Sequence, residues 1–240
     1  IDSMPDLEKD GAARNMVLHH LMTHDPNYLF NISMLGHQSY LIDPERLNML
    51  EQLYFEAYRI GKLRENFKEI EPVIRDTDMM FFDVGAIRAT DAPGTISPQP
   101  FGLTGEEACQ ICWYAGMNEK LSSVGFYEYF PDHDNEYSGT ASVVATMIWY
   151  VIEGFYNRKY ERSFKSSDYI KYTVAMPEEP SELVFYKSEI SDRWWMEVPY
   201  PISELSYNRN AVVPCSYEDY KTATQGVVPD RWINTYSKLI

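Results

Sequence analysis

The chain has 240 residues, of which 45 % are hydrophobic and 15 % aromatic, enough for one large domain or a domain with an appendage. A formal net charge of −15 argues against the basic footprint of a nucleic-acid binder and against docking on anionic membranes. No stretch reaches the roughly 18 consecutive apolar residues of a membrane span, so no membrane partner is expected.

Ile1-Asp2-Ser3-Met4 matches neither a signal peptide nor an initiation sequence, so the chain is expected to continue a longer protein. Ile1 to Asp6 reads as the tail of a strand opening into a loop. Tyr28 to Met34 reads as a buried strand. Asp43-Pro44 opens a helix, with Asp at the N-cap and Pro at the first helical position. Leu47, Leu50, Tyr54, Ala57 and Tyr58 then repeat at helical spacing up to Gly61, a natural C-terminal stop. Met79 to Asp83 is an apolar run of strand length that ends in a carboxylate.

Thr104-Gly105-Glu106-Glu107 carries a capping-box signature, because the Glu107 side chain can reach back to the Thr104 backbone. The helix it opens runs to about Gly116. Leu121 to Glu128 is another strand ending in a carboxylate, and Gly139 to about Tyr156 is a long helix, apolar on most faces. Strands alternating with helices imply parallel βαβ units.

The pattern changes near Tyr160. Tyr169 to Val174, Leu183 to Tyr186 and Trp194 to Val198 read as a small antiparallel meander. Side chains alternate along a strand, so only one of Trp194 and Trp195 can face the meander's core. Beyond Pro199 one weak helix is expected, near Tyr217 to Thr224. The chain thus divides into an α/β part, residues 1–160, and an aromatic, Pro-rich extension, residues 161–240. The cysteines Cys109, Cys112 and Cys215 are few and odd in number, which fits a reducing compartment, and the expected location is cytoplasmic. Cys109 and Cys112 lie within a helical pattern and read as core.

The segment richest in chemistry is Phe82-Asp83-Val84-Gly85-Ala86-Ile87-Arg88, followed by Asp91-Ala92-Pro93-Gly94 and Gly102-Leu103-Thr104. A carboxylate at the C-terminal end of a strand lies where open α/β sheets place their sites. The segment resembles the ureohydrolase superfamily (arginase, agmatinase and formimidoylglutamase), whose pattern is S-F-D-x-D-x-x-D-P, a Pro-Gly or Pro-Ala turn, then G-G-L-T. The resemblance implies a three-layer αβα arginase-like fold with a mainly parallel sheet. The sheet would be incomplete at its N-terminus, with the small β-rich extension added after it.

The family reaction is hydrolysis of a C–N bond in formimidoylglutamate or a guanidino compound by hydroxide held between two Mn²⁺ ions. The family draws ligands from a G-G-D-H segment, which this chain lacks, from D-A-H-x-D and from S-F-D-x-D. Asp2-Ser3-Met4-Pro5-Asp6 resembles the second of these, so the resemblance assigns Asp2, Asp6 and Asp83 as metal ligands. Met4 stands at the ligand His and Gly85 at the second ligand Asp. A thioether is a soft, weak ligand for Mn²⁺, and glycine offers none. Both losses fall on the same metal, so one Mn²⁺ ion or none is expected. Glu128, in Tyr127-Glu128-Tyr129-Phe130-Pro131, falls on the glutamate of E-x-N-P that holds the substrate's amidine or guanidinium nitrogen. His19, or His20 beside it, falls on the proton-shuttling histidine. Arg88 replaces a family Asp and could pair with Asp83, Asp91 or Glu128.

The stretch from Gly105 to Ile111, the stretches Ile148-Trp149-Tyr150 and Gly154 to Lys159, and the tail with Asp192 to Pro199 and Pro214 to Tyr220 resemble a bacterial branch labelled formimidoylglutamase. Two functions follow from these readings. One is a ureohydrolase protein of formimidoylglutamase type with a partly degenerate metal site. The other is a catalytically inactive protein using the same fold for binding or scaffolding. The expected partners are the N-terminal part of the same protein, a small amidine or guanidino ligand, and further copies of the chain in a homo-oligomer.

Overall fold

The computed structural model describes residues 1–3, 17–26, 29–161, 168–200 and 210–239. Ser33–His37 (β1) pairs in parallel with Glu56–Arg59 (β2), and Met79–Asp83 (β3) pairs in parallel with Ser123–Tyr127 (β4). Residues 1–3 join these pairs. The Ile1 nitrogen donates to Phe81 O at 2.6 Å, Asp83 N donates to Ile1 O at 2.9 Å, and Asp2 N donates to Leu35 O at 3.0 Å. The order across the sheet is therefore β2, β1, residues 1–3, β3, β4.

Helices lie on both faces of β1 and β2. On one face Val17–Thr23 (α1) and Pro44–Gln52 (α2) bury Met22, Leu47 and Leu50 against Met34 and Ala57. On the other, Ile60–Glu65 (α3), Ile70–Arg75 (α4), Gly105–Met117 (α5) and Gly139–Tyr156 (α6) supply Leu63, Ile74, Ile111, Ala115 and Met147. These pack with Leu35, Met80 and Phe82 of the strands. This is the expected α/β arrangement, three layers deep where α1 and α2 are present.

The α2 helix starts as expected, with Asp43 Oδ1 accepting from Glu45 N at 3.0 Å. It does not run to Gly61. Tyr54 takes a left-handed backbone (φ 56°), and Glu56 to Arg59 leave the helix to pair with β1. Ala57 then faces α2 while Tyr58 faces α3, so a strand's alternation imitated a helical repeat. The α5 capping box forms in full, with Glu107 N donating to Thr104 Oγ1 at 3.0 Å and Thr104 N to the Glu107 carboxylate at 2.8 Å.

The C-terminal region forms a four-stranded antiparallel sheet in the order Tyr169–Ala175 (β5), Glu182–Ser188 (β6), Trp194–Pro199 (β7), Asn210–Cys215 (β8). Tyr217–Thr224 (α7) and Asp230–Leu239 (α8) follow. The sequence reading contained neither β8 nor α8. Trp194 and Trp195 alternate as expected, yet both are buried. Trp194 lies against Tyr172 and Tyr220 in the extension's own core, and Trp195 faces α4, where it covers Arg75.

Candidate functional site

Asp83 ends β3, Glu128 follows the end of β4, and Asp2 lies between β1 and β3, all at the sheet's C-terminal edge, the location at which such sheets bind ligands. The Asp83 carboxylate accepts from Gly85 N at 2.6 Å and is hydrogen-bonded to the Asp2 side chain. Burial, reinforced by the charges of Asp2 and Glu128, pushes Asp83 up to about 7, against the pull of the Gly85 amide. The Asp2 charge beside it thus favours the protonated form of Asp83.

This pairing has a consequence for stability. Asp83 binds its proton more tightly folded than unfolded. Its contribution is therefore complete below the unfolded carboxylate pKa, about 4, and is lost as pH rises through about 7. The urea midpoint of metal-free protein is expected to fall between about pH 5 and pH 7, and Asp83→Asn should flatten that fall. An equal decline in the variant would show that Asp83 does not carry it.

Local backbone fixes the site. Ser3 Oγ donates to Gly85 O at 3.3 Å, tying residues 1–3 to the loop after β3. A Cβ on Gly85 would lie 3.0 Å from Asp83 Oδ1, so any side chain at that position stands beside Asp83. Glu128 is exposed and has a left-handed backbone (φ 61°), an uncommon conformation for a non-glycine residue that recurs at ligand sites. Gly102 is needed for space, since a Cβ there would meet Ala86 O at 2.6 Å.

Arg88 is not the cation of this site. Its guanidinium pairs with Asp91 at 2.9 Å, and Asp91 in turn accepts from Gly105 N at the start of α5. The motif's second half is therefore a helix-anchoring loop. His19 lies on α1, its ring against His20, and makes no hydrogen bond to Asp83 or Glu128. Asp6 and Met4 lie outside the described residues. Among the described residues no three His, Cys, Asp or Glu side chains are grouped to hold a metal ion. The donors that are described do not make up a two-metal centre: Asp2 and Asp83 lie together, and Gly85 carries no ligand.

His37, at the C-terminal end of β1, was not singled out from sequence. It is buried, with Nδ1 unpartnered, and burial lowers its pKa, favouring the neutral ring. A single histidine at the end of a short strand, between Gly36 and Gln38, carries no signal that separates it from ordinary core. No helix among the described residues is long and apolar enough to cross a membrane.

Among solved structures, the chain is similar to Trypanosoma cruzi formiminoglutamase with Mn²⁺, at 17 % identity and a TM-score of 0.58, covering 66 % of this chain and 56 % of that one. It is similar to Bacillus subtilis formimidoylglutamase, at 16 % identity and TM-score 0.56, covering 66 % and 52 %. It is also similar to Entamoeba histolytica arginase in complex with L-ornithine, at 23 % identity and TM-score 0.55, covering 62 % and 57 %. The chain spans about half the length of these proteins, and the likeness is one of fold. No curated protein sequence matches it. The sequence profile of the Arginase family matches residues 1–153, well over half of the chain, and with the fold that profile shows that the chain belongs to the arginase family.

Proposed function

We propose that this chain is part of a ureohydrolase protein of formimidoylglutamase type whose metal site has been partly dismantled. Glu128 is retained to hold an amidine or guanidinium group, while Asp2, Asp6 and Asp83 provide for one Mn²⁺ ion at most. His19 is the proposed proton carrier. The observation that carries this reading is that Asp83 and Glu128 end adjacent strands and Asp2 lies against Asp83, with Gly85 at the position to which the resemblance assigns a second carboxylate. A second reading, binding or scaffolding without catalysis, is favoured by Gly85, which leaves the loop beside Asp83 without a second carboxylate.

The test is repair. In the full-length protein, Gly85→Asp combined with Met4→His is expected to tighten Mn²⁺ binding at least tenfold in calorimetric titration, because it restores a hard oxygen donor and an imidazole. Unchanged Mn²⁺ binding would mean that the two positions do not share a site. Hydrolysis of formimidoylglutamate, arginine and agmatine by the unmodified protein separates the readings. Release of formamide, ammonia or urea that is lost in Glu128→Gln supports the hydrolase, and its absence with all three substrates supports the binding protein.

A further inference from the structure

Glu128 stands in a loop whose shape is imposed from outside it. On one side Tyr127, the last residue of β4, is in register with Asp83 of β3. On the other, Phe130 N donates to Gly94 O at 2.8 Å. Glu128 and Tyr129 make the turn between these two fixed points, and Glu128 takes its left-handed backbone there. A non-glycine residue keeps that conformation only where its surroundings hold it.

A second hydrogen bond joins the same two loops. His133 Nδ1 lies 3.1 Å from Thr95 O. A carbonyl oxygen only accepts, so Nδ1 carries the proton and the ring donates. Gly94 and Thr95 are consecutive, which makes the two bonds adjacent rungs. Their donors are linked as well: His133 N donates to Phe130 O at 3.0 Å, and the two rings lie 5.9 Å apart. Residues 130–133 therefore form one closed turn.

The accepting loop is itself anchored. Gly94 N donates at 2.8 Å to Thr140 Oγ1, and Thr140 is wholly buried in the first turn of α6. A Cβ on Gly94 would lie 3.0 Å from that oxygen and 3.1 Å from Asp134 Cβ, so the loop lies tight against the helix start. Asp134, the residue after His133, accepts from Thr140 N and Ala141 N at 3.0 and 3.1 Å. Thr95 is buried, and truncating His133 would take the donor from its carbonyl.

We propose that His133 is a positioning residue for Glu128: its Nδ1–H, held on Thr95 O, fixes the turn at 130–133 against residues 94–95 and so keeps the Glu128 backbone in the conformation that presents its carboxylate at the sheet's C-terminal edge. His133 acts through the loop, without contact to a ligand. The proposal rests on the reading of Glu128 as the residue that holds an amidine or guanidinium group, and adds to it a residue five positions further on.

Calorimetric titration and amide hydrogen exchange of the full-length protein test it, with agmatine, arginine and formimidoylglutamate as probes. His133→Ala is expected to weaken binding of the probe that binds tightest by about tenfold, because a small misplacement of a binding group is costly. Exchange over residues 128–134 should become about tenfold faster. His133→Asn, whose amide nitrogen can donate from nearly the place of Nδ1, should restore both to within about threefold of the unmodified protein. A merely structural histidine would speed exchange and leave affinity unchanged, and that result would overturn the inference. So would unchanged exchange in His133→Ala, or a failure of Asn to restore binding. Binding that is lost in Glu128→Gln but unaffected by His133→Ala would leave the reading of Glu128 standing and remove His133 from it. No binding of any of the three probes by the unmodified protein would overturn the reading of Glu128 and the positioning role with it.

Discussion

Gly154→Ala is expected to destabilise the full-length protein by about 3 kcal/mol and lower its melting temperature by about 5–10 °C. The α5 and α6 helices touch backbone to backbone at Gly116 and Gly154. A Cβ on Gly154 would lie 2.4 Å from Trp113 O, and one on Gly116 would lie 2.2 Å from Val151 O. Both clashes are with main-chain oxygens, which no rotamer change can relieve. The helices would have to separate, loosening Met147, Ile111 and Ala115 in the core beneath them. Helix propensity works in the opposite direction, since Ala exceeds Gly by about 1 kcal/mol in a helix interior. The sign of the measured change therefore decides the matter: a stabilised variant in thermal melting would mean that the helices are not in contact there.

The second large effect is expected at Arg75. This side chain is buried between α4 and the C-terminal sheet, stacks 4.3 Å from the Trp195 ring, and donates to Trp194 O and Cys215 O at 3.0 and 3.2 Å. Glu71 lies 3.1 Å from its Nε and 3.3 Å from Arg193, which also reaches Glu161. Burial pulls the Arg75 pKa down, and the neighbouring Glu71 charge opposes the shift. Removing one member of a buried charge cluster leaves the others uncompensated, and Arg75→Ala should cost about 3–5 kcal/mol in urea unfolding. Arg75→Met, which keeps much of the stem's packing, should cost less than Arg75→Ala. Limited proteolysis of Arg75→Ala should release the region after Arg158 first, as the guanidinium ties that region to α4. A loss under about 1 kcal/mol in Arg75→Ala would show that the strands hold the extension without it.

Much of this molecule is legible in its sequence, for local reasons. Thr104 and Glu107 define a helix start by their own hydrogen bonds, and Met79 to Asp83, an apolar run of strand length, forms a strand buried on one face. The strand at Glu56 was hidden because it is specified by pairing with β1, a contact between distant segments. The β8 strand and α8 helix were hidden for a similar reason. Asn210 to Cys215 contains Pro214 yet pairs along β7, and Trp232 on α8 is buried through packing against Tyr236 and a hydrogen bond to Glu197 O.

The candidate site divides along the same line. That Asp83 and Glu128 end strands was legible in the sequence, while the roles given to them came from the resemblance alone. That Arg88 would choose Asp91 was not legible, since Asp83 is nearly as close in sequence and only the fold of the loop toward α5 decides between them. The upward shift of the Asp83 pKa also depends on burial and on the three-dimensional meeting of segments about eighty residues apart.

The measurement that bears most directly on the reduced metal site is elemental analysis of the full-length protein, purified without chelator and dialysed against metal-free buffer. Fewer than one Mn²⁺ per chain is expected, since Gly85 offers no ligand and Met4 only a weak one. Two tightly held Mn²⁺ ions per chain would contradict the account.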